Sequence, residues 1–518
     1  MSIFSAVLLS FSVILCFCLT LLYYTHMYQL NSYKPSEQLA WIKASPLRRF
    51  AARTGLPALA VLSAFVWSNA VYLQIVIFLL AAFINRPFRA KKPLVFTNRV
   101  KRLLASASVI FLAVSGGACI ALGGISSVAP AIICIFMPFY LLLCDLINKP
   151  LEKAINNGYI RNAKEILRSS PNLTVIGITG SFGKTSVKFF LNKILSGKYN
   201  VLMTPGNFNT TLGVVRTIRE NLRATHEIFI CEMGARHVGD IKEICDIVNP
   251  KYGIITSVGE QHMETFKSID NIINTKFELY NAVPADGKVF LNGDNPHIRS
   301  YPKSQKSCYY GINNTDADFY AYDLQVSSKG SQFSVHFPDN SSARFSTSLI
   351  GEHNVLNITA AISAAYSLGM SAEQIADRVT RIESVPHRMQ LIPQGNNIVI
   401  DDAYNSNPDG AAAALDTLAM FDGVKILVTP GMIELGERQY DCNKQFGAYA
   451  AQKCDFAVLV GRDNADAIKE GLLAGGFHSE RIHSVNALSD AINLVGSLQA
   501  ESSRKIILLE NDLPDNFN

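Results

Sequence analysis

The 518-residue chain has no internal repeat, no low-complexity tract and no cysteine pair with zinc-ribbon spacing. Its ten cysteines are scattered, and five of them lie in long apolar segments, so the pattern favours reduced, buried thiols over a disulfide framework or a structural zinc site. Charge is sparse, since Asp, Glu, Lys and Arg make up 17% of the residues. The net charge of +5 comes largely from basic segments beside the apolar stretches and gives no reason to expect a nucleic-acid partner.

Long hydrophobic runs are confined to the first third of the chain. Residues 3–24 and 56–84 are almost wholly apolar, and residues 104–147 are long enough for two spans divided near Gly123. The first run lacks the basic start and small-x-small site of a cleaved signal peptide, which favours a retained anchor. We predict a transmembrane helical region at residues 1–150, with several spans in the cytoplasmic membrane.

Basic residues follow each of the first two apolar runs, and the positive-inside tendency places both basic segments in the cytoplasm. The basic residues are Lys34, Lys43, Arg48, Arg49 and Arg53 in the first segment, and Arg86, Arg89, Lys91, Lys92, Arg99, Lys101 and Arg102 in the second. One simple span between the segments cannot satisfy both. Either residues 56–84 form a re-entrant hairpin that turns near Trp67, Ser68 and Asn69, or the first segment departs from the tendency.

From about residue 150 the pattern becomes that of a water-soluble α/β protein. Residues 151–170 have helical spacing of apolar residues and predict a connecting helix. β-Rich runs then alternate with helical patterns, which predicts a mostly parallel sheet covered by helices at residues 171–388. Within this region, residues 317–349 alternate with the period of antiparallel strands. The α/β pattern restarts afterwards and predicts a smaller, Rossmann-like domain at residues 389–518.

A glycine turn joins an apolar run to the start of a helix, at Thr179, Gly180, Ser181, Phe182, Gly183, Lys184, Thr185 and Ser186. This pattern is typical of a nucleotide phosphate site, where backbone N–H groups converge on phosphate oxygens, Lys184 supplies charge and Thr185 holds Mg²⁺. Ile178 stands where the common P-loop has its first glycine, so the loop is a shorter form. We predict that ATP binds here, which requires this part of the chain to face the cytoplasm.

Further motifs follow the loop in a fixed order. They are Thr-Pro-Gly-Asn-Phe-Asn-Thr-Thr-Leu-Gly at 204–213, Glu-Met-Gly-Ala-Arg-His at 232–237, and His262 with Lys276. Together with the loop they resemble the Mur ligase family over about residues 171–510. The resemblance implies an ATP-dependent, ADP-forming acid–amino-acid ligase of peptidoglycan precursor synthesis that works through an acyl phosphate. It further implies that D-Ala-D-Ala or a similar amine is added to a muramoyl peptide.

The resemblance assigns the metal ligands and the catalytic residues. Thr185, Glu232, His262 and Lys276 would bind Mg²⁺, and Lys184, Lys276, His262 and Arg388 would be catalytic. In the family, the lysine at this spacing after the histidine is carbamylated by CO₂, which would give Lys276 oxygen ligands for a second Mg²⁺. The alternatives for these positions are an ion-paired strand-end glutamate, a structural histidine and a surface lysine.

The resemblance also implies contacts to ATP and to the acceptor. Asn292, His353, Asn354 and Asn357 are candidates for the adenine end, although asparagines at helix starts are commonly caps. Arg388, Asp402 and Tyr404 would approach ATP from the last domain. Asn207, Asn209, Thr210 and Asn407 would meet the substrate.

The resemblance fails at both ends of the chain. The family's N-terminal domain, which binds the UDP end of the precursor, has no counterpart, so a lipid-linked muramoyl peptide is an alternative to a UDP-linked one. Gly431 stands where the family often has aspartate, and residues 509–514 replace an expected Lys-Gly-Ser-like segment. Two alternative functions stay open. One is a poly-γ-glutamate-type synthetase, which generally lacks the last domain, and the other is a catalytically silent nucleotide-binding membrane scaffold.

Overall fold

A computed structural model describes residues 3–44, 47–66, 71–86, 92–122, 127–301, 304–404, 406–462, 464–498 and 504–512. The chain divides into two compact units, one ending at Gly158 and the other running from Tyr159 to Asp512. The predicted turn at Trp67, Ser68 and Asn69 and the predicted break at Gly123 lie outside the described residues.

The first unit is helical. Its elements are α1 (Ile3–Leu30), α2 (Pro35–Ala44), α3 (Leu47–Val66), α4 (Val71–Ile84), α5 (Asn98–Leu122), α6 (Val128–Ile135) and α7 (Met137–Arg168), which continues into the second unit. By length and composition, α1 and residues Asn98–Ala121 of α5 could each cross a membrane, and the α6–α7 pair, bent by 87°, would be a third span if it counts as one. The predicted connecting helix is therefore the second half of α7, which continues through Pro150.

Aromatic and small apolar side chains fill the centre of this helical unit. Phe17 of α1 stacks on Phe111 of α5 with ring centroids 3.7 Å apart, and both rings are almost fully buried. Tyr140 of α7 packs edge-on to Phe17. The outer faces of the helices of this unit carry many large exposed apolar side chains, among them Phe4, Phe11, Phe65, Phe83, Ile120 and Phe139.

The second unit begins with a nine-stranded sheet in the order β2-β3-β1-β4-β5-β6-β7-β8-β9. The strands are β1 (Thr174–Thr179), β2 (Val201–Met203), β3 (Ile228–Glu232), β4 (Tyr252–Ile255), β5 (Lys288–Asn292), β6 (Ser307–Ile312), β7 (Phe319–Ser327), β8 (Gly330–His336) and β9 (Ser342–Thr347). Pairing is parallel from β2 to β7 and antiparallel among β7, β8 and β9. The predicted antiparallel strands thus extend the parallel sheet.

Helices cover both faces of this sheet. They are α8 (Lys184–Leu195), α9 (Thr211–Asn221), α10 (Asp240–Val248), α11 (Met263–Phe266), α12 (Ile269–Ala282), α13 (Pro296–Arg299), α14 (Glu352–Ser367) and α15 (Ala372–Val379). β1 is buried along almost its whole length, as expected for a central parallel strand, and its alternate side chains enter two separate apolar cores. The polar groups at its carboxyl end therefore emerge at a fixed edge of the sheet.

The last part of the chain is a six-stranded sheet in the order β10-β11-β15-β12-β13-β14. Its strands are β10 (Gln390–Gln394), β11 (Asn397–Asp402), β12 (Val424–Thr429), β13 (Phe456–Val460), β14 (Ile482–Val485) and β15 (Lys505–Glu510). Its helices are α16 (Pro408–Ala419), α17 (Gln439–Ala450), α18 (Ala465–Ala474) and α19 (Leu488–Ser497). Only β10 is antiparallel to its neighbour, and it pairs through Pro393 at the sheet edge.

The predicted α/β class with mostly parallel sheets is confirmed in both domains of this unit. The edge strands β10 and β14 were not predicted, because both are short and neither is fully buried on either face. The five cysteines of this unit, Cys231, Cys245, Cys308, Cys442 and Cys454, are free and buried, as the sequence led us to expect.

Candidate active site

The phosphate loop is held in shape by the residues that follow β4. The backbone N–H of Ser181 donates to the carbonyl of Ser257 at 2.9 Å, and the N–H of Phe182 donates to the Ser257 hydroxyl at 2.8 Å. Gly180 has φ +150°, and a Cβ there would lie 2.1 Å from Oγ1 of Thr256. Only glycine fits this close approach, so the loop backbone is pinned between two neighbouring strands.

Lys184 begins α8 and bends back over the loop. Its Nζ donates to the carbonyl oxygens of Gly180 at 2.6 Å and Ser181 at 3.0 Å. Burial lowers its pKa to about 8, while the nearby Glu232 charge opposes this shift and Arg388 adds to it. The ammonium thus lies where the loop amides would receive phosphate, in a setting that favours an anionic ligand.

Glu232 ends β3 and is the centre of the site. Its Oε1 accepts from the Thr185 hydroxyl at 3.1 Å and from the Asn209 amide at 3.0 Å, and the side chain is 1% exposed. Burial raises its pKa, but Lys188, Lys184 and Asn209 together outweigh burial, so the net pKa is lowered. The carboxylate is therefore ionised beside the phosphate loop.

Lys188 is a member of this site that the sequence analysis missed. Its Nζ lies 2.8 Å from Oε2 of Glu232 and donates to the carbonyl of Gly206 at 2.5 Å, and its side chain is fully buried. It sits one helical turn after Lys184, a spacing that puts both lysines on one face of α8. That spacing was the available signal. Lys188 therefore links the Glu232 carboxylate to the 204–213 segment.

Lys276 is buried on α12, and no carboxylate or hydrogen-bond acceptor contacts it among the described residues. Burial and the Lys184 charge lower its pKa to about 7, against smaller opposing effects of Asp240 and Glu278. A substantial fraction of the side chain is therefore the neutral amine near neutral pH. Only the neutral amine has the lone pair that reacts with CO₂, so the environment suits the predicted carbamate.

His262 brings the two domains of the unit together. It adopts φ +53°, and its Nδ1 makes a short hydrogen bond to Oε2 of Glu434, which follows β12. Burial lowers the pKa of His262 more than Glu434 raises it, so the imidazole is neutral. A carboxylate can only accept, so Nδ1 carries the proton and Nε2 keeps a lone pair for a metal ion. The sequence analysis did not single out Glu434.

Two ion pairs also join the two domains of this unit. Arg236 lies 3.6 Å from Glu434, and Arg438 makes a short ion pair with Glu260. The segment between the domains contains two non-glycine residues with positive φ, His387 at +58° and Met389 at +51°. Such conformations are unfavourable for these residues, and they concentrate backbone strain where the domains join.

Arg388 lies between these two strained residues and points its charge into the site. Its guanidinium stacks on the ring of Tyr404 at 4.2 Å, and its field lowers the pKa of Lys184. Asp402 accepts from the backbone N–H of Met389 at 3.1 Å. Burial raises the pKa of Asp402 to about 6, against the opposing charge of Arg388. The predicted residues Arg388, Asp402 and Tyr404 are therefore neighbours.

The four adenine candidates divide into two pairs. Nδ2 of Asn292 donates to the Thr256 carbonyl at 2.9 Å, and Nδ2 of Asn354 donates to the Ile350 carbonyl at 2.8 Å, so both amides serve the fold. His353 and Asn357 differ. Nε2 of His353 is buried with no hydrogen-bond partner among the described residues, and Oδ1 of Asn357 lies beside Gly183. An unpaired buried nitrogen of this kind is suited to contact with a nucleotide base.

Two of the predicted substrate residues cap helices. The Thr210 hydroxyl accepts from the N–H of Gly213 at the start of α9, and Oδ1 of Asn407 accepts from the N–H of Gly410 at 2.9 Å at the start of α16. Asn209 binds Glu232, and its backbone N–H donates to the carbonyl of Asn207. The 207–210 turn is therefore held against the Glu232 carboxylate.

The carboxyl edge of the last sheet holds a second buried glutamate, which was also missed. Oε2 of Glu510 accepts from the Thr429 hydroxyl at 2.7 Å, and Ser406 makes a short hydrogen bond to Oε1. Burial raises the pKa of Glu510 to about 7, which the two hydroxyls oppose. Nearby, Gly431 has φ +81°, and a Cβ there would lie 2.7 Å from Oδ1 of Asn443. An aspartate would not fit this packing, which accounts for the glycine.

The site suits Mg²⁺ bound largely through phosphate. Among the described residues, no group of three or more His, Cys, Asp and Glu side chains is arranged to hold a metal ion. Thr185 and Glu232 supply two oxygens on one side of the loop, and Mg²⁺ in nucleotide sites commonly takes one or two protein oxygens, with phosphates and water completing six. The residues present therefore fit a nucleotide-bound Mg²⁺.

A phosphate loop on one α/β sheet that faces a second parallel-sheet domain defines a two-domain P-loop nucleotide-binding protein. Family models give the further assignment. The Mur ligase middle domain matches residues 178–365, and the Mur ligase, glutamate ligase domain matches residues 387–509.

Individual proteins agree with this match. The UDP-N-acetylmuramoyl-tripeptide–D-alanyl-D-alanine ligase of Bacillus subtilis is 31% identical over 325 residues, 62% of this chain and 69% of that protein. The ligase of the same name from Escherichia coli is 32% identical over 295 residues, 56% of this chain and 65% of that protein. A crystal structure of MurF from Acinetobacter baumannii, 28% identical, gives a TM-score of 0.62 over 69% of this chain and 77% of that one. The chain belongs to the Mur ligase family, so the predicted resemblance is confirmed.

Proposed function

We propose that this protein is an ATP-dependent amide ligase that adds D-Ala-D-Ala to a UDP-linked muramoyl tripeptide and is anchored in the cytoplasmic membrane. The observation that carries the ligase proposal is the arrangement around Glu232. The phosphate-loop hydroxyl of Thr185 and the amide of Asn209 both meet Oε1 of this one carboxylate. Two relatives that carry this activity in their names match the same part of the chain.

The reaction has two steps. The acceptor carboxylate attacks the γ-phosphorus of ATP, an acyl phosphate forms and ADP leaves. The amine of D-Ala-D-Ala then attacks the acyl carbon, phosphate leaves and the amine loses a proton. Phosphoryl transfer of this kind depends on positioning and on neutralising the phosphate charge, and bound Mg²⁺ would supply part of that neutralisation.

The residues of this chain supply the remainder. Lys184 would place its ammonium at the β- and γ-phosphates, and Arg388 would add positive charge from the hinge between the domains. Thr185 and Glu232 would hold Mg²⁺, and the 207–210 turn would orient the acceptor carboxylate. His353 and Asn357 would contact the base. The contact of His262 with Glu434 would hold the second domain closed over the reacting groups.

We propose that Lys276 carries a carbamate and then supplies oxygen ligands to a second Mg²⁺ beside His262. The unpaired, buried amine with its lowered pKa supports this. In carbamate formation, Nζ attacks CO₂ and loses one proton. Mass spectrometry of the intact protein under bicarbonate at alkaline pH tests it. Added mass of one CO₂ is expected, and it should be absent from Lys276→Arg.

Exposed apolar helices support the membrane anchor. α1 and α5 are long enough to span, and their outer faces expose side chains such as Phe11 and Ile120 that would be costly to leave in water. We place the ATP-dependent domains in the cytoplasm, because ATP is found there.

The acceptor assay tests the function. Purified protein in detergent is given ATP, Mg²⁺, bicarbonate and D-Ala-D-Ala, with UDP-linked muramoyl tripeptide in one arm and a lipid-linked muramoyl peptide in the other. Release of ADP and phosphate that needs both the amine and the UDP-linked acceptor is the expected result. The membrane-type first unit makes the lipid-linked acceptor the second candidate, and stimulation by that arm alone would select it. Release in neither arm would contradict the ligase proposal.

The two alternative functions raised by the sequence are less well supported. The match of residues 387–509 to the Mur ligase, glutamate ligase domain argues against a poly-γ-glutamate-type synthetase, which generally lacks this domain. The intact set of Lys184, Glu232, His262 and Lys276 argues against a silent scaffold.

A further inference from the structure

Described residues at the ends of the basic segments lie together at one end of the helical bundle of the first unit. At the end of α1, His26 hydrogen-bonds to the carbonyl of Lys92 at 2.8 Å. Gln29 exchanges two hydrogen bonds of 2.9 Å with the backbone of Val95. The end of α1 therefore lies beside the segment that precedes α5.

Helices α3 and α4 return the chain to this same end. Arg53, in the second turn of α3, donates to the carbonyl of Ile84 at 3.3 Å and to Oδ1 of Asn85 at 3.1 Å, at the end of α4. Its guanidinium also lies 3.7 Å above the ring of Tyr23 in α1. The start of α3 and the end of α4 therefore share a level, and the two helices form a hairpin.

The start of α5 and the middle of α7 lie at the same end of the bundle. Asp145 of α7 accepts from Tyr28 at 2.8 Å and from Arg99 at 3.2 Å. Arg102 pairs with both oxygens of Glu152 at 2.6 and 2.8 Å. Ion pairs that hold charges at one level are typical of a bundle end that meets the aqueous interface.

Helix lengths separate the crossing helices from the hairpin. From Arg99 to Ile120, α5 rises about 32 Å, enough for a hydrocarbon core of about 30 Å. From Ile84 back to Tyr72, α4 rises only about 18 Å. The apolar part of α3, residues Arg53–Phe65, is similarly short. Neither arm of the hairpin reaches across.

Building on the proposed membrane anchor, we infer that α3 and α4 form a re-entrant hairpin that enters from the cytoplasmic face and returns to it. α1 crosses with its N-terminus on the opposite face, α5 crosses outward, and Asp145 of α7 lies again at the level of Arg99 on the cytoplasmic side. Every basic segment then lies at the cytoplasmic face, where anionic phospholipid headgroups attract it. The partner of the exposed apolar surface is the lipid bilayer.

Cysteine accessibility tests the hairpin. Cys18 and Cys119, the exposed cysteines among the described residues, are first replaced by serine. Single cysteines are then introduced in the full-length protein as Tyr72→Cys near the tip of the hairpin, Ile120→Cys at the far end of α5, and Lys34→Cys in the first basic segment. All three original side chains are exposed or partly exposed, so the substitutions disturb little packing. A membrane-impermeant maleimide is applied to intact spheroplasts and to inside-out vesicles.

The inference predicts a distinct pattern for each position. Ile120→Cys is labelled only in spheroplasts, Lys34→Cys only in inside-out vesicles, and Tyr72→Cys in neither until detergent is added. Labelling of Tyr72→Cys in spheroplasts would mean two full crossings, and labelling of Lys34→Cys there would invert the basic end. Either result overturns the inference.

A separate measurement distinguishes failure of the anchor itself. Carbonate washing of the same membranes should leave the protein in the pellet. Release into the supernatant would refute membrane anchoring, and with it the hairpin, whereas retention together with spheroplast labelling of Tyr72→Cys would refute the hairpin alone.

Discussion

In each of the two sheets of the second unit, an interior parallel strand ends in a buried glutamate, and the two glutamates differ in the direction of their pKa shifts. Glu232 lies against the Lys188 ammonium and has a lowered pKa, whereas Glu510 lies between two hydroxyls and has a pKa raised to about 7. Both side chains are about 1% exposed. The partner, and not the degree of burial, decides which glutamate is a carboxylate and which is still about half protonated near pH 7.

This difference matches the role that we propose for the carboxyl edge of each sheet, the first edge being the one around Glu232 and the second the one around Glu510. An ionised, oxygen-rich edge beside a phosphate loop suits Mg²⁺ and phosphate, so chemistry is expected there. At the edge around Glu510, the carboxyl group is hydrogen-bonded to Ser406 and Thr429. These bonds stabilise the strand ends of the last domain. Turnover should depend most strongly on the first edge, and Glu510 at the second edge should make stability fall as the pH rises.

The largest expected effect is on turnover at the first edge. Lys184→Ala should lower kcat by about a thousandfold, because the charge at the phosphates is lost. Acceptor-dependent ADP release measures it. Lys193→Ala, on the same helix but away from the loop, is the control and should keep near-normal turnover. Equal turnover in the two variants would break the contrast between the edges.

Removing the cation beside Glu232 should destabilise the protein. Lys188→Met leaves a buried carboxylate unpaired, which costs about 3 to 5 kcal/mol in the free energy of unfolding. Denaturant titration measures the loss, with Lys193→Met as the control. Adding Glu232→Gln to Lys188→Met should recover much of the stability while turnover stays low. A double variant as unstable as Lys188→Met alone would show that the pair is not coupled.

The second edge should respond to pH with the sign of a raised pKa. Glu510 titrates near 4.5 when unfolded and near 7 when folded, so its contribution to stability is full below pH 4.5 and is lost as pH rises to 7. The loss is on the order of 3 kcal/mol relative to Glu510→Gln, from the shift at about 1.4 kcal/mol per unit. Unfolding of both proteins at several pH values measures it, with the exposed Glu480→Gln as a control. Parallel pH curves for wild type and Glu510→Gln would contradict the raised pKa.

Lys276 gives a further test of the site around Glu232. Lys276→Ala should lower kcat by about a hundredfold, and a short-chain carboxylate added to the assay should restore part of it by replacing the carbamate oxygens. Restoration should require millimolar carboxylate and should fail with a neutral amide of the same size. Normal turnover without any addition would remove the carbamate and leave the ATP site intact.

The smallest effect is expected where the two domains touch. Glu434→Ala removes the acceptor that orients His262 and should lower kcat by about tenfold, within the range for groups that orient metal ligands. Glu437→Ala removes an exposed carboxylate three residues later and serves as the control. A loss as large as that of Lys184→Ala would give Glu434 a direct role in the chemistry.

Much of this arrangement could be predicted from local sequence. The turn at 179–186 and the strand-end position of Glu232 are local patterns, because a glycine turn and an apolar strand constrain the backbone within a few residues. The antiparallel run at 317–349 was also visible in its period, although not that it extends the parallel sheet, since sheet order depends on contacts distant in sequence.

The missed residues depend on pairing across the fold. Lys188 meets Glu232, which is 44 positions away in sequence, and Glu434 meets His262 across two domains. Glu510 follows an apolar strand just as Glu232 does, so the same signal was present. Its surroundings, which decide its charge, were not visible in the sequence. For Asn292 and Asn354, the residue type suggested a ligand contact, and backbone carbonyls of the fold take those amides instead.

The central claim is that ATP transfers its γ-phosphoryl group to the acceptor carboxylate at the first edge. The most direct measurement uses a muramoyl tripeptide whose reacting carboxylate carries heavy oxygen in both positions. The account predicts that one heavy oxygen appears in each phosphate released with the amide product, because the acyl phosphate breaks at the acyl carbon. Unlabelled phosphate released together with the amide product would contradict it.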